Sequence, residues 1–186
     1  MNFKRPLIIL LAVTFMLMGA VSLCAAQNVD GFIGLPWGAS NEAVKTSMEQ
    51  RGFKLLSFTA EKAEFLGEFA NEPANLTFFF LKDRFFRGEA DLLNARQMGK
   101  ADALKYFDDF SSMMQVKYGK TERNGAYSKN TEIYTYSWYN LPTSATPPGQ
   151  ASISISGGQF GKSNAVIVVY SIGEAWVKAQ YLHKDI

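Results

Sequence analysis

Two runs of alternating residues, Leu76 to Leu81 and Phe85 to Leu92, stand on either side of the short polar stretch Lys82-Asp83-Arg84. That pattern leaves a chain few ways to fold. A period of two puts Leu76, Phe78 and Phe80 on one side of a strand, and a brief polar break between two such runs predicts a β-hairpin. On the second strand Phe86, Gly88, Ala90 and Leu92 share the apolar side, while Phe85, Arg87, Glu89 and Asp91 join Thr77, Phe79 and Leu81 on the other. The resulting antiparallel sheet has one buried face and one mixed face.

A helix precedes this hairpin. The segment Gly34 to Ser40, GLPWGAS, runs into Asn41-Glu42-Ala43-Val44, where Ser40 can cap a helix start and Glu42 favours the positive end of its dipole. Trp37 is expected beneath that first turn. Ala43, Val44, Ser47 and Met48 give a narrow stripe at helical spacing over about Asn41–Arg51, and Gly52 supplies a left-handed stop that folds Phe53 back onto Met48. Strands at Phe53–Thr59 and Ala63–Phe69 lead into the hairpin.

The plan then repeats. After the polar connector Asn94–Gly99, the stripe Ala103, Leu104, Phe107, Phe110, Met114, Tyr118 predicts a longer helix over Lys100–Tyr118, stopped by Gly119. Strands follow at Glu132–Tyr139, Ala151–Ser156 and Asn164–Ile172. The middle one alternates Ile153 and Ile155 with Ser152, Ser154 and Ser156, so one face meets water. The last is apolar on both sides and belongs at the sheet centre. Pro142, Pro147 and Pro148 make Leu141–Gln150 a surface loop, and the tail holds a short helix with Trp176 and Tyr181. The fold class read from this is α+β, a mainly antiparallel sheet with two helices packed on one face. It is built from two α-β-β-β-like halves, about 31–93 and 100–172, with a C-terminal tail over 173–186.

Residues 1–26 are read as a cleaved signal peptide, with Lys4 and Arg5, the apolar run Leu7–Leu23 and small residues up to Ala26. Removing 26 of 186 residues leaves 160, read as a single α+β domain over 27–186 that is periplasmic or secreted, with no stable membrane insertion. Cys24 is not read as a lipid anchor, because Leu23 stands where a small residue is normal. With Cys24 removed no disulfide can form, and stability must rest on the core. Lys4 and Arg5 leave without any acid, so 19 basic residues become 17 against 17 acidic ones. No basic tract remains to suggest nucleic acid.

The residues also limit the chemistry. His183, the one histidine, lies three residues from the C-terminus, a poor place from which to hold an imidazole to catalytic tolerance. One histidine and no retained cysteine leave no ordinary zinc or iron ligand set, and no calcium loop is present. Gly157 to Ser163 approaches a phosphate loop, but the required first glycine falls at Ser156, and two strands flank it where a helix should follow; a glycine-rich hairpin turn is expected. Asp108 and Asp109 diverge by about 100° on a helix, and Glu89 with Asp91 reads as a solvated strand face. No catalytic, cofactor-binding or metal-binding residues are therefore assigned, and no cofactor is expected.

The Trp37-Gly38-Ala39-Ser40 sequence, the helix closing on Gly52, the Lys117-Tyr118-Gly119-Lys120 closure of the second helix and the strands after each resemble small exported bacterial modules of paired helix-plus-sheet halves. Beta-lactamase inhibitor protein and the SmpA/OmlA lipoproteins are of this type. The resemblance implies a scaffold that binds other proteins, and transfers no contact residues. The leading reading is a non-enzymatic protein-binding module, of assembly-factor or inhibitor type. Its partner would be another envelope or secreted protein, or a second copy, and its candidate surface Phe79, Leu81, Phe85 and Arg87 on the mixed face. The alternatives are a carrier of a small apolar ligand, favoured by a lined cavity, and a carboxylate-dependent hydrolase.

Overall fold

Short-range signals fix where each helix begins and ends. The structure, a computed structural model, describes residues 28–128, 131–144, 150–160, 163–173 and 175–178. Helix α1 (Asn41–Gln50) starts at Ser40, whose hydroxyl accepts from the Ala43 N–H at 3.2 Å, and the Asp83 carboxylate accepts from the Asn41 N–H at 2.8 Å. At its end Gly52 takes φ 82°, its N–H donates to the Glu49 carbonyl and the Phe53 N–H to the Met48 carbonyl, satisfying two otherwise free acceptors. Helix α2 (Lys100–Tyr118) closes in a similar place on Gly119, at φ 92°.

Strand β1 (Gly31–Phe32) and β2 (Leu35–Pro36) form a small N-terminal ribbon ahead of α1. The first half continues as β3 (Lys54–Phe58), β4 (Lys62–Phe69), β5 (Glu72–Leu81) and β6 (Arg84–Leu92). A 3-10 turn at Leu93–Gln97 leads to α2, and β7 (Arg123–Ser128), β8 (Thr131–Pro142), β9 (Gln150–Phe160) and β10 (Ser163–Ser171) complete the second half. All eight long strands make one antiparallel sheet in the order β3-β4-β5-β6-β10-β9-β8-β7. Each half is a helix followed by a four-strand meander, and the two last strands, β6 and β10, meet at the centre with Ala90 opposite Val168. A two-fold axis through that junction would exchange the halves.

The hairpins β4–β5 and β5–β6 turn on two residues each. Ala70 and Asn71 have φ 53° and 65°, Lys82 and Asp83 have 49° and 60°. Paired positive φ values give the turn twist that matches the strands, and Asn and Asp tolerate it better than most residues.

Both helices and the ribbon cover one face. Val44 and Met48 of α1, Phe107, Phe110 and Met114 of α2, and Phe32, Leu35 and Trp37 of the N-terminal segment are buried against Phe65, Leu76, Phe78, Ile153, Ile155 and Val168 of the sheet. The α+β class, the antiparallel sheet and the two helices on one face are as the sequence predicts. Trp37 is buried, as expected, and its partners are the N-terminal segment and β6: it is 7% exposed, its Nε1–H donates to the Val29 carbonyl at 2.7 Å, and its ring stacks on Phe85 with centroids 5.1 Å apart.

Three features differ from the sequence reading. Strand β7 is additional, so the second half has four strands. Gly157 and Gly158 lie inside β9, where the sequence predicts a turn, and Gly161 and Lys162 of that expected turn are outside the described residues. Strand β8 runs through Leu141 to Pro142, shortening the expected proline loop, of which 145–149 are outside the described residues. The helical turn at 175–178 buries Trp176 and Val177, whereas Tyr181, His183 and the leader with Cys24 are outside the described residues.

Candidate functional site

Cross-strand register defines the second face of the sheet. One row runs Glu64, Thr77, Glu89, Val169, Ser154, Ser137, and the next Lys62, Phe79, Arg87, Ser171, Ser152. Except for Arg87, which is exposed, these side chains are half-buried, although most lie on inner strands of the sheet. A side chain there is packed by its row neighbours and remains open to solvent above. The β6 side of this face carries charge, with Lys62 paired to Glu64 at 2.8 Å and Arg87 paired to Glu89. The β10 side carries hydroxyls and the aliphatic Ile167 and Val169.

Of the four predicted surface residues, three share this face. Phe79 and Arg87 are direct neighbours, the guanidinium lying 5.2 Å from the ring centroid, and Leu81 follows along β5, half-buried and packed in part against the core. Phe85 does not belong with them. It is fully buried beneath Trp37, because the β5–β6 register shifts between Phe79 and Phe80: Phe79 faces Arg87, yet Phe80 faces Phe85. The extra residue, Phe86, absorbs the bulge and reverses the phase of the alternation. The candidate surface is corrected accordingly to Phe79, Leu81 and Arg87, joined by Ile167 and Val169, which the sequence reading placed only as central-strand residues.

The carboxylates considered for hydrolysis are each drawn into an ion pair: Glu89 with Arg87, Asp91 with Arg96, Asp108 with Arg123 at 2.9 Å and Asp109 with Lys105 at 2.5 Å. Arg123 also lies 3.8 Å from the Tyr134 ring centroid. Among the described residues no group of three His, Cys, Asp or Glu side chains is placed to hold a metal ion.

On the covered face a groove of about 700 Å³ opens between the N-terminal ribbon and the C-terminal half of α2. Its walls include Ile33 and Leu35 from the ribbon and Phe110, Met113 and Met114 from α2, with Phe69 at the β4–β5 turn and Tyr118 and Tyr170 at the base. The two phenol oxygens lie 3.4 Å apart, and the Tyr170 hydroxyl reaches the Met114 sulfur at 3.9 Å. Burial, with Tyr118 adding to it, pushes the Tyr170 phenol well above its ordinary range. Asp30 sits on the rim, its carboxyl held below the usual value by the Ser144 N–H at 2.6 Å and by Thr143. In the sequence, Phe110, Met114 and Tyr118 have the pattern of plain core. The available signal was Met113 and Lys117, which lie beside that stripe at i, i+4 and widen it past what the sheet covers.

No protein-family model matches the chain, and no curated protein or solved structure is significantly similar to it. No helix among the described residues is long and apolar enough to cross a membrane.

Proposed function

We propose that the chain is an exported, non-enzymatic binding module that docks a folded protein partner on the open face of its sheet. The observation that carries this is the one-sided layering: helices and ribbon cover one face, while Phe79, Leu81, Ile167 and Val169 sit among Thr, Ser and Arg on the other. Eight strands spaced about 4.8 Å apart give a face about 34 Å wide, and five residues along each strand give about 17 Å, so the face offers about 600 Å². That approaches the roughly 800 Å² that each partner of a standard interface contributes. A rigid sheet also loses little entropy on docking. The two-half plan, which resembles inhibitor and assembly-factor modules, supports the same reading.

Photo-crosslinking tests it. A benzoylphenylalanine at position 79 or 169 should trap one defined partner in the cell envelope, and one at the exposed Val116 of α2 should not. Val169→Arg should abolish the adduct at position 79 without lowering the unfolding midpoint. Adducts of equal yield from both faces, or none from the sheet, would reject the proposal. A trapped second copy would identify self-association, checked by sedimentation equilibrium.

A further inference from the structure

The groove beside α2 supports an inference independent of the open face. We infer that it binds a free medium-chain carboxylate, with the aliphatic chain along Phe69, Phe110, Met113 and Met114 and the anionic head at Lys117. A volume of about 700 Å³ falls within the roughly 300–1,000 Å³ of small-molecule sites. Met113 is 56% exposed although it lines an apolar wall, and a residue so placed gains burial only if something fills the groove. Paired methionines are unbranched and polarizable, which suits a flexible chain better than the fixed outline of a rigid ring. From Phe110 to Lys117 the helix rises about 10 Å, enough wall to lay a medium-length chain alongside.

The head group follows from the charges at the groove. Asp30 and Lys117 are the two charged residues in its lining among the described residues. The Asp30 carboxylate already accepts from the Ser144 N–H and the Thr143 hydroxyl. Lys117 has no carboxylate partner among the described residues, and its ammonium lies 5.1 Å from the Tyr118 ring centroid, at the same end of the groove as the two phenols. Lys117 is therefore the cation of the lining that no carboxylate of the described residues offsets, and it stands at the phenol end of the groove. Below it, the two phenols pair with each other at 3.4 Å and the Tyr170 hydroxyl donates to the Met114 sulfur at 3.9 Å, a weak acceptor that a carboxylate oxygen can displace.

Calorimetric titration of the delipidated protein with dodecanoate, dodecanol and dodecyltrimethylammonium, each below its micelle concentration, tests the assignment. Dodecanoate should bind one to one, and about tenfold more tightly than dodecanol, the ratio expected for one charge-assisted contact. Lys117→Glu lies at an exposed position and should keep the unfolding midpoint, weaken dodecanoate about tenfold and favour the cationic amphiphile. Met113→Glu, also exposed, should weaken all three. Val169→Arg, on the opposite face, should change none, which separates this site from the protein-docking surface. Absence of dodecanoate binding, or binding that ignores both Lys117→Glu and Met113→Glu, would overturn the inference.

Discussion

Phe32 rests directly on Gly88. In the sheet register Gly88 stands between Phe78 of β5 and Tyr170 of β10, so the one missing side chain in that row leaves a gap flanked by two rings. The Phe32 ring occupies the gap, with centroids 5.5 Å from Phe78 and 5.4 Å from Tyr170, and a Cβ on Gly88 would overlap its ring carbons. The same device recurs at Gly157, which α2 covers with Phe107, and at Gly67, which Phe53 covers. Glycine weakens a strand by itself, and here it provides the depth that lets a covering aromatic reach the backbone.

Gly88→Ala should therefore cost about 1–3 kcal/mol by overpacking, and the cost should shrink in a Phe32→Leu background. A urea double-mutant cycle measures this, with an expected coupling of about 0.5–3 kcal/mol. Strict additivity would mean that the two residues do not share the site.

How much of this was legible depended on how local the signal was. Helix α2 could be read to its last residue, because Phe107, Phe110, Met114 and Tyr118 hold one stripe and Gly119 ends it. The β5–β6 hairpin was equally plain. Strand β7 was not, because an outermost strand pairs with one neighbour and Arg123, Asn124, Gly125 and Ala126 are exposed, so no alternation marks it. Phe85 was misassigned for a different reason: a bulge is decided between two strands, and nothing along β6 alone says which residue is extra. The groove escaped because it is made by the ribbon Gly31–Pro36 meeting α2, residues some eighty positions apart. Phe79 and Leu81 were readable because β5 alternates without a break to its end, and Arg87 because it lies on the unshifted side of the bulge.

Trp37→Ala should lose about 3–5 kcal/mol, since the indole is buried, stacked on Phe85 and bonded to the Val29 carbonyl. Against a typical total of about 5–15 kcal/mol this is a large fraction. Phe79→Ala, half-buried on the open face, should cost much less and weaken partner capture. Urea midpoints of the two variants decide it, and a wild-type midpoint for Trp37→Ala would contradict a structural role.

Asp83 joins the β5–β6 turn to the start of α1 through its bond to the Asn41 N–H, and it does so at φ 60°. Asp83→Ala removes the acceptor and places alanine in a left-handed conformation, so a loss of about 0.5–2 kcal/mol is expected from the cap alone, with backbone strain added. Asp83→Asn keeps an acceptor and tolerates that φ, and should retain most of the stability. Thermal unfolding of both separates the two contributions; equal losses would assign the effect to charge.

The Tyr170 phenol should weaken the fold at alkaline pH. Its folded-state pKa is raised, chiefly by burial and then by Tyr118, so the folded protein keeps a proton that the unfolded chain releases above about pH 10. The folded state then binds more protons than the unfolded one, and stability falls as pH rises. Below the unfolded value the contribution is fully present. Above it, each pH unit removes up to about 1.4 kcal/mol for one such phenol, until the folded form also ionises. Tyr170→Phe removes the group that must stay protonated and gives up only a 3.4 Å hydroxyl contact and a weak thioether contact. Its stability at pH 7 should sit slightly below wild type, and the two curves should converge or cross between about pH 10 and 12. Tyr106, also raised by burial, is present in both proteins and cancels in the difference. Urea unfolding at half-unit intervals from pH 8 to 12 gives that difference directly. Parallel curves across the whole range would show that Tyr170 is not held protonated by its burial.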